Sequence, residues 1–239
     1  MDLTSLRKPK HKAKKKRDYG TLPDGSKKPS VTEIMKLVDL DNKQGALMGW
    51  AHKLGREGRS MNERDLAARK GSCAHDLVAA HYDPESHDLS EYTIDEVEEA
   101  MPNAKRVIAE IDRLGWRVLH VERVLHADTH AGTCDMIAVC PTRGPLIVDL
   151  KTGSGVYRET ILQLGAYAAM WRHECMANGD DASIAIQGAV IHAHPGKDLA
   201  IHDVSPTALL AGEHAFYRLL EIRAVHAQIR FDAKKETTT

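Results

Sequence analysis

The stretch LIVDLKTG, residues Leu146 to Gly153, sets an acid and a base two residues apart at the end of an apolar run. Leu146, Ile147 and Val148 read as a buried strand, where an unpaired charge is costly. Side chains alternate along a strand, so Asp149 and Lys151 project from one face, about 7 Å apart along the chain. Two readings stay open on this stretch alone. The pair is a structural ion pair, worth under about 1 kcal/mol if solvated, or it is half of an active site.

Working upstream, GTCDMIAVC over residues 132–140 follows the turn DTHAG, and residues 116–127 alternate as WRVLHVERVLHA. Three strands joined by tight turns predict an antiparallel meander. It would bring Glu122, Asp135, Asp149 and Lys151 onto one patch. Clustered carboxylates repel one another unless a cation neutralises them, and oxygen ligands suit Mg2+ or Mn2+. A lysine beside such an ion can orient an attacking water or stabilise developing negative charge.

Downstream, Ile161, Leu164, Ala168 and Trp171 recur at helical spacing, predicting a helix over 158–177. SIAIQGAVIHAH and LAIHDV then read as a hairpin turning at PGKD. Ser205 and Pro206 cap and open a C-terminal helix expected over 205–230, with residues 233–239 fraying. The first half reads as helical. Ser30 with Glu33, and Thr93 with Glu96, form capping-box patterns at two helix starts. Further helices are expected over 44–54, 62–81 and 94–114, the last kinked or interrupted near Pro102. The expected fold is α+β, a central mixed sheet of about five strands flanked by helices behind a helical N-terminal region. We expect one domain over 29–232.

Residues 1–28 carry ten Lys and Arg against three acids, a charge of +7, and the remainder carries −8. Such an arm cannot bury a core and is expected to be disordered. Its Lys12, Lys14, Lys15, Lys16 and Arg17 either attract a polyanion such as DNA or merely solubilise the chain. No apolar run approaches the roughly 20 residues of a spanning helix, and the N-terminus is too charged for a signal peptide. A cytoplasmic protein without a membrane partner is the expectation. The four cysteines form no CxxC pair, so they read as small buried hydrophobes.

The residues Asp135 in GTCD, Asp149 and Lys151 in DLKTG, and Gln163 and Tyr167 in QLGAY, with His75 in GSCAHDL upstream, resemble the PD-(D/E)xK nuclease superfamily. Within it, the chain is similar to the RecB-like, phage-type exonuclease branch over roughly residues 29–204. D-x-K alone is a weak signal. The whole is specific: Asp135 precedes Asp149 by 14 residues, Gln163 follows Lys151 by 12, and Tyr167 shares its helix face.

The resemblance implies a restriction-endonuclease-like core and a set of roles. His75, Asp135 and Asp149 would ligate Mg2+ or Mn2+, with the Leu150 carbonyl as a further ligand. Lys151 would be the base or water-positioning group, Gln163 would orient the strand end, and Tyr167 would pack near the DNA. Glu122 matches less securely, as relatives similar to lambda exonuclease use a glutamate where this branch uses the histidine. The missing cysteine cluster removes any reason to expect an iron–sulfur cofactor.

The implied function is metal-dependent hydrolysis of linear DNA, as an exonuclease in phage recombination or replication. DNA is the implied partner, with a single-strand annealing or recombination protein and a homo-oligomeric assembly beside it. A catalytically vestigial DNA-binding or assembly protein, and a hydrolase of small phosphate esters, are the alternatives. His192 and His194 form an H-x-H without a third ligand in view, so a polar strand face is the better reading. His126 and His130 read as turn residues.

Overall fold

The computed structural model describes residues 18–58, 62–179 and 185–236, so Lys12, Lys14, Lys15, Lys16 and Arg17 lie outside the described residues. The chain runs through α1 (Val31–Met35), α2 (Lys43–Arg56), α3 (Asn62–Tyr82) and α4 (Ile94–Arg113) before its first strand. There follow β1 (Arg117–His126), β2 (Ala131–Cys140), β3 (Gly144–Lys151), α5 (Glu159–Ala177), β4 (Gln187–His192), β5 (Ala200–Val204) and α6 (Pro206–Glu236). The five strands form one mixed sheet in chain order. Short turns make β1, β2 and β3 antiparallel neighbours, and the α5 crossover returns the chain to lay β4 parallel to β3. The β4–β5 hairpin closes the sheet. This is the expected α+β architecture.

Local chemistry explains the helix starts. Ser30 Oγ accepts from the Glu33 amide, and Thr93 with Glu96 makes a complete reciprocal capping box. α4 runs through Pro102 as one continuous helix, so the interruption expected there as the alternative to a kink does not occur. Proline there forfeits one backbone hydrogen bond, at about 3 kcal/mol or more. The stripe Val97, Ala100, Ala104, Val107 and Ile111 is buried on both sides of it and offsets that cost.

Two cores sandwich the sheet. Met136, Ala138, Leu146, Val148 and Leu150 pack with α3 and α4. Leu125, Cys134, Ile147 and Val190 pack with α1, α5 and α6. The α5–α6 crossing is close because Gly165 and Gly212 lack side chains: a Cβ on Gly165 would strike the Glu213 backbone, and one on Gly212 the Ile161 carbonyl.

His130 lies in the turn between β1 and β2, as expected, but is buried there: it is 1% exposed, its ring 5.0 Å from that of Phe216 on α6. No helix among the described residues is long and apolar enough to cross a membrane.

Candidate metal centre

Even alternation along β1 would put Val121 and Leu125 on one face of the sheet, yet Val121 packs with the α3–α4 layer and Leu125 with the α5–α6 layer. Cys134 and Met136 of β2 are divided in the same way. Both strands therefore change face midway, β1 at Glu122 and β2 at Asp135. The neighbours pair regularly, Val121 with Met136 and Arg123 with Cys134, so Glu122 and Asp135 lie opposite each other in the gap. Glu122 adopts φ +47°, a left-handed conformation rare for a side chain of its size. Such backbone costs about 1–3 kcal/mol and collects at functional sites.

These two irregularities bring carboxylates from adjacent strands towards His75 of α3. One ligand atom from each of His75, Glu122 and Asp135 lies within 4.8 Å of the others, and all three residues are half-buried. His75 Nδ1 is 3.5 Å from Asp135 Oδ2. Between them and the apolar wall of Val148, Leu150 and Ile191 lies a cavity of about 10 Å3, enough for one water-sized body. Burial pushes the His75 imidazole below its ordinary pKa, against the opposing pull of Glu122 and Asp149. The ring is thus neutral at pH 7 and has a lone pair to donate.

Asp135 also reaches β3. The β2–β3 ladder ends at Met136 and Val148; past that point the Leu150 amide donates to Asp135 Oδ2 at 2.8 Å. The carboxylate stands in for the missing strand partner and bridges the two strands. It is the Leu150 N–H that the structure ties into the site.

Asp149 and Lys151 alternate with Val148 and Leu150 and so face α5. Asp149 is 1% exposed. Lys151 Nζ donates to its Oδ1 at 2.9 Å and to Gln163 Oε1 at 3.3 Å. Gln163 Nε2 in turn donates to the Tyr167 hydroxyl at 3.4 Å. Nζ also lies 2.8 Å from Asp149 Oδ2, but its alignment leaves that oxygen buried without a hydrogen bond. Burial raises the Asp149 carboxyl to about 6, with Lys151 opposing the shift and Asp135 adding to it. Burial works against the Lys151 ammonium, but Asp149 and Asp135 together outweigh it and raise its pKa. The pair is ionic at neutral pH.

The residues singled out in sequence thus form two groups on either side of β3, joined by Asp135. His75, Glu122 and Asp135 make one; Asp149, Lys151, Gln163 and Tyr167 make the other, and Asp149 is not among the three converging ligands. Glu122, the least secure sequence candidate, stands in the centre. Two carboxylates and a neutral imidazole suit a divalent cation, while the Asp149 charge on the other side of β3 is balanced by Lys151.

No known family model matches the chain, and no curated protein matches it in sequence. Among solved structures, the crystal structure of SSO0001 is similar at 13% identity over 67% of this chain and 87% of its own, with a TM-score of 0.31.

Proposed function

We propose that this chain is a divalent-metal-dependent deoxyribonuclease, an exonuclease of the RecB-like type that hydrolyses phosphodiester bonds in linear DNA. The observation that carries the reading is Asp135. One carboxylate touches the His75 imidazole, faces Glu122, and holds the amide between Asp149 and Lys151. Ligands for a cation and a lysine able to manage a proton are thereby fixed in one rigid frame.

When bound, Mg2+ or Mn2+ would supply Lewis acidity towards a phosphoryl oxygen and lower the pKa of water. His75, Glu122 and Asp135 would hold it, with Asp149 added if its carboxylate turns from Lys151. Lys151 positions the attacking water and stabilises the negative charge that grows on the phosphorus oxygens. Gln163 fixes the lysine by accepting from Nζ, and Tyr167 fixes Gln163. Lys12, Lys14, Lys15, Lys16 and Arg17 contribute sequence-independent, salt-sensitive affinity for DNA. An annealing or recombination protein is the partner such an enzyme would serve, in the cytoplasm of a bacterial or phage-infected cell.

End-labelled linear and covalently closed circular DNA, each incubated with and without Mn2+, test this reading. Progressive loss of the linear label only with Mn2+, the circle surviving, is the expected result. No product from either substrate in any divalent metal would favour a catalytically vestigial DNA-binding protein on the same fold.

A further inference from the structure

We infer a second metal site of different chemistry, formed by His192, His194 and His202 and suited to a borderline transition cation such as Cu2+, Ni2+ or Zn2+. His192 ends β4, His194 follows two residues later, and His202 lies on β5, where Val190 pairs with His202 and His192 with Ala200. His192 and His202 are therefore diagonal neighbours across an antiparallel pair. The His192 ring centre is 6.4 Å from that of His194 and 6.3 Å from that of His202. The hairpin thus provides the third imidazole that the H-x-H motif lacked in sequence.

Two details point to a cation. His192 Nε2 lies 2.8 Å from the Gly153 carbonyl. Donation there fixes the tautomer and leaves the lone pair on Nδ1, the outer-shell arrangement of metal-bound histidines. His194 Nδ1 is buried with no hydrogen-bond partner, a cost that ligation removes. Two imidazoles sharing a cation at 2.0–2.1 Å have ring centres about 5 Å apart. As they stand the three imidazoles do not bring their nitrogens within 4.8 Å of one another; closing on a cation takes side-chain rotation of both the half-buried His194 and the exposed His202.

The two sites differ in softness. His75, Glu122 and Asp135 offer mainly oxygen, while the hairpin offers only nitrogen and so favours later transition metals. The Gly153 contact places the nitrogen site two residues past Lys151, against the loop that leaves β3. Of the charged groups on the hairpin, Lys197 donates to Ser154 O at 3.3 Å and Asp203 pairs with Arg143 at 2.5 Å, so both are already engaged.

The test is Cu2+ titration of the full chain carrying Glu122→Gln, read by electron paramagnetic resonance for nitrogen superhyperfine lines. One Cu2+ bound by more than one imidazole nitrogen is expected. Adding His192→Ala or, separately, His202→Ala should raise the Kd at least about tenfold and reduce the nitrogen count. The surface position of His202 keeps that variant folded, which far-UV circular dichroism checks. Loss of the signal in Glu122→Gln alone, or an unchanged Kd in either histidine variant, would overturn the proposal.

Discussion

At the scale of single residues, three side chains carry costs that the fold must offset. Glu122 holds a left-handed backbone, so Glu122→Gly should relieve strain and raise stability by up to about 1 kcal/mol. The same change should weaken Mn2+ binding. A rise in Tm with a fall in metal affinity, by calorimetry, is the expected pair of results; a fall in both would mean that the conformation serves packing.

His130, buried against Phe216, has its imidazole pKa pushed by burial down to about 4, with Lys28 adding to the shift. Above pH 6.5 the ring is neutral in both folded and unfolded chains, and it contributes no slope. Between 6.5 and 4 the unfolded chain binds a proton that the native chain refuses, so stability falls as pH falls. The total reaches about 3 kcal/mol. Urea unfolding of His130→Leu against the native chain across that window should show the native chain losing stability more steeply; parallel curves would contradict it.

Asp149, raised to about 6 chiefly by burial, is the third. A cation that draws on its charge competes with a proton there, so Mn2+ affinity should decline as pH drops through 6.

At the scale of elements, the packing of α5 on α6 depends on two missing side chains. Gly212→Ala would drive a methyl group into the Ile161 carbonyl and should cost about 1–3 kcal/mol or more, measurable as a lowered urea midpoint. A cost below 0.5 kcal/mol, which is about the scatter of neutral surface changes, would show that the helices part easily.

Elements were largely legible in the sequence, for physical reasons. Tight turns leave no choice but antiparallel neighbours, and the intervening helix forces β4 parallel to β3. Ser30 and Thr93 announced their helix starts because a capping box is local. Pro102 does not interrupt α4 because propensity speaks for one hydrogen bond and burial for a whole stripe. The face changes at Glu122 and Asp135 escaped for a related reason. Alternation assumes an unbroken pleat, and positive φ at a glutamate has no local signature. Simple alternation gave one patch of four charged residues; the structure gives two groups meeting at Asp135.

At the scale of the whole molecule, the sheet sets the candidate residues where the β2–β3 ladder ends, between the two cores. The α3–α4 layer delivers His75, the meander delivers Glu122 and Asp135, and the α5 layer supports Lys151 through Gln163. The candidate residues come from five elements, α3, β1, β2, β3 and α5; motif spacing found Asp135, Asp149, Lys151, Gln163 and Tyr167. Only packing could rank Glu122 with His75. Under the proposed function Lys151 acts on charge and proton rather than on metal binding. Lys151→Ala should thus lower kcat for linear DNA by about 10²–10⁴ while Mn2+ still binds.

The most direct measurement is Mn2+-dependent release of acid-soluble nucleotide from linear DNA by the purified chain carrying Asp135→Asn, beside the unchanged chain. We predict release by the unchanged chain and none above background by the variant, with circular dichroism showing both folded. Equal release by the two would contradict the account, since the carboxylate that joins the ligand group to the lysine would then have no part in the chemistry.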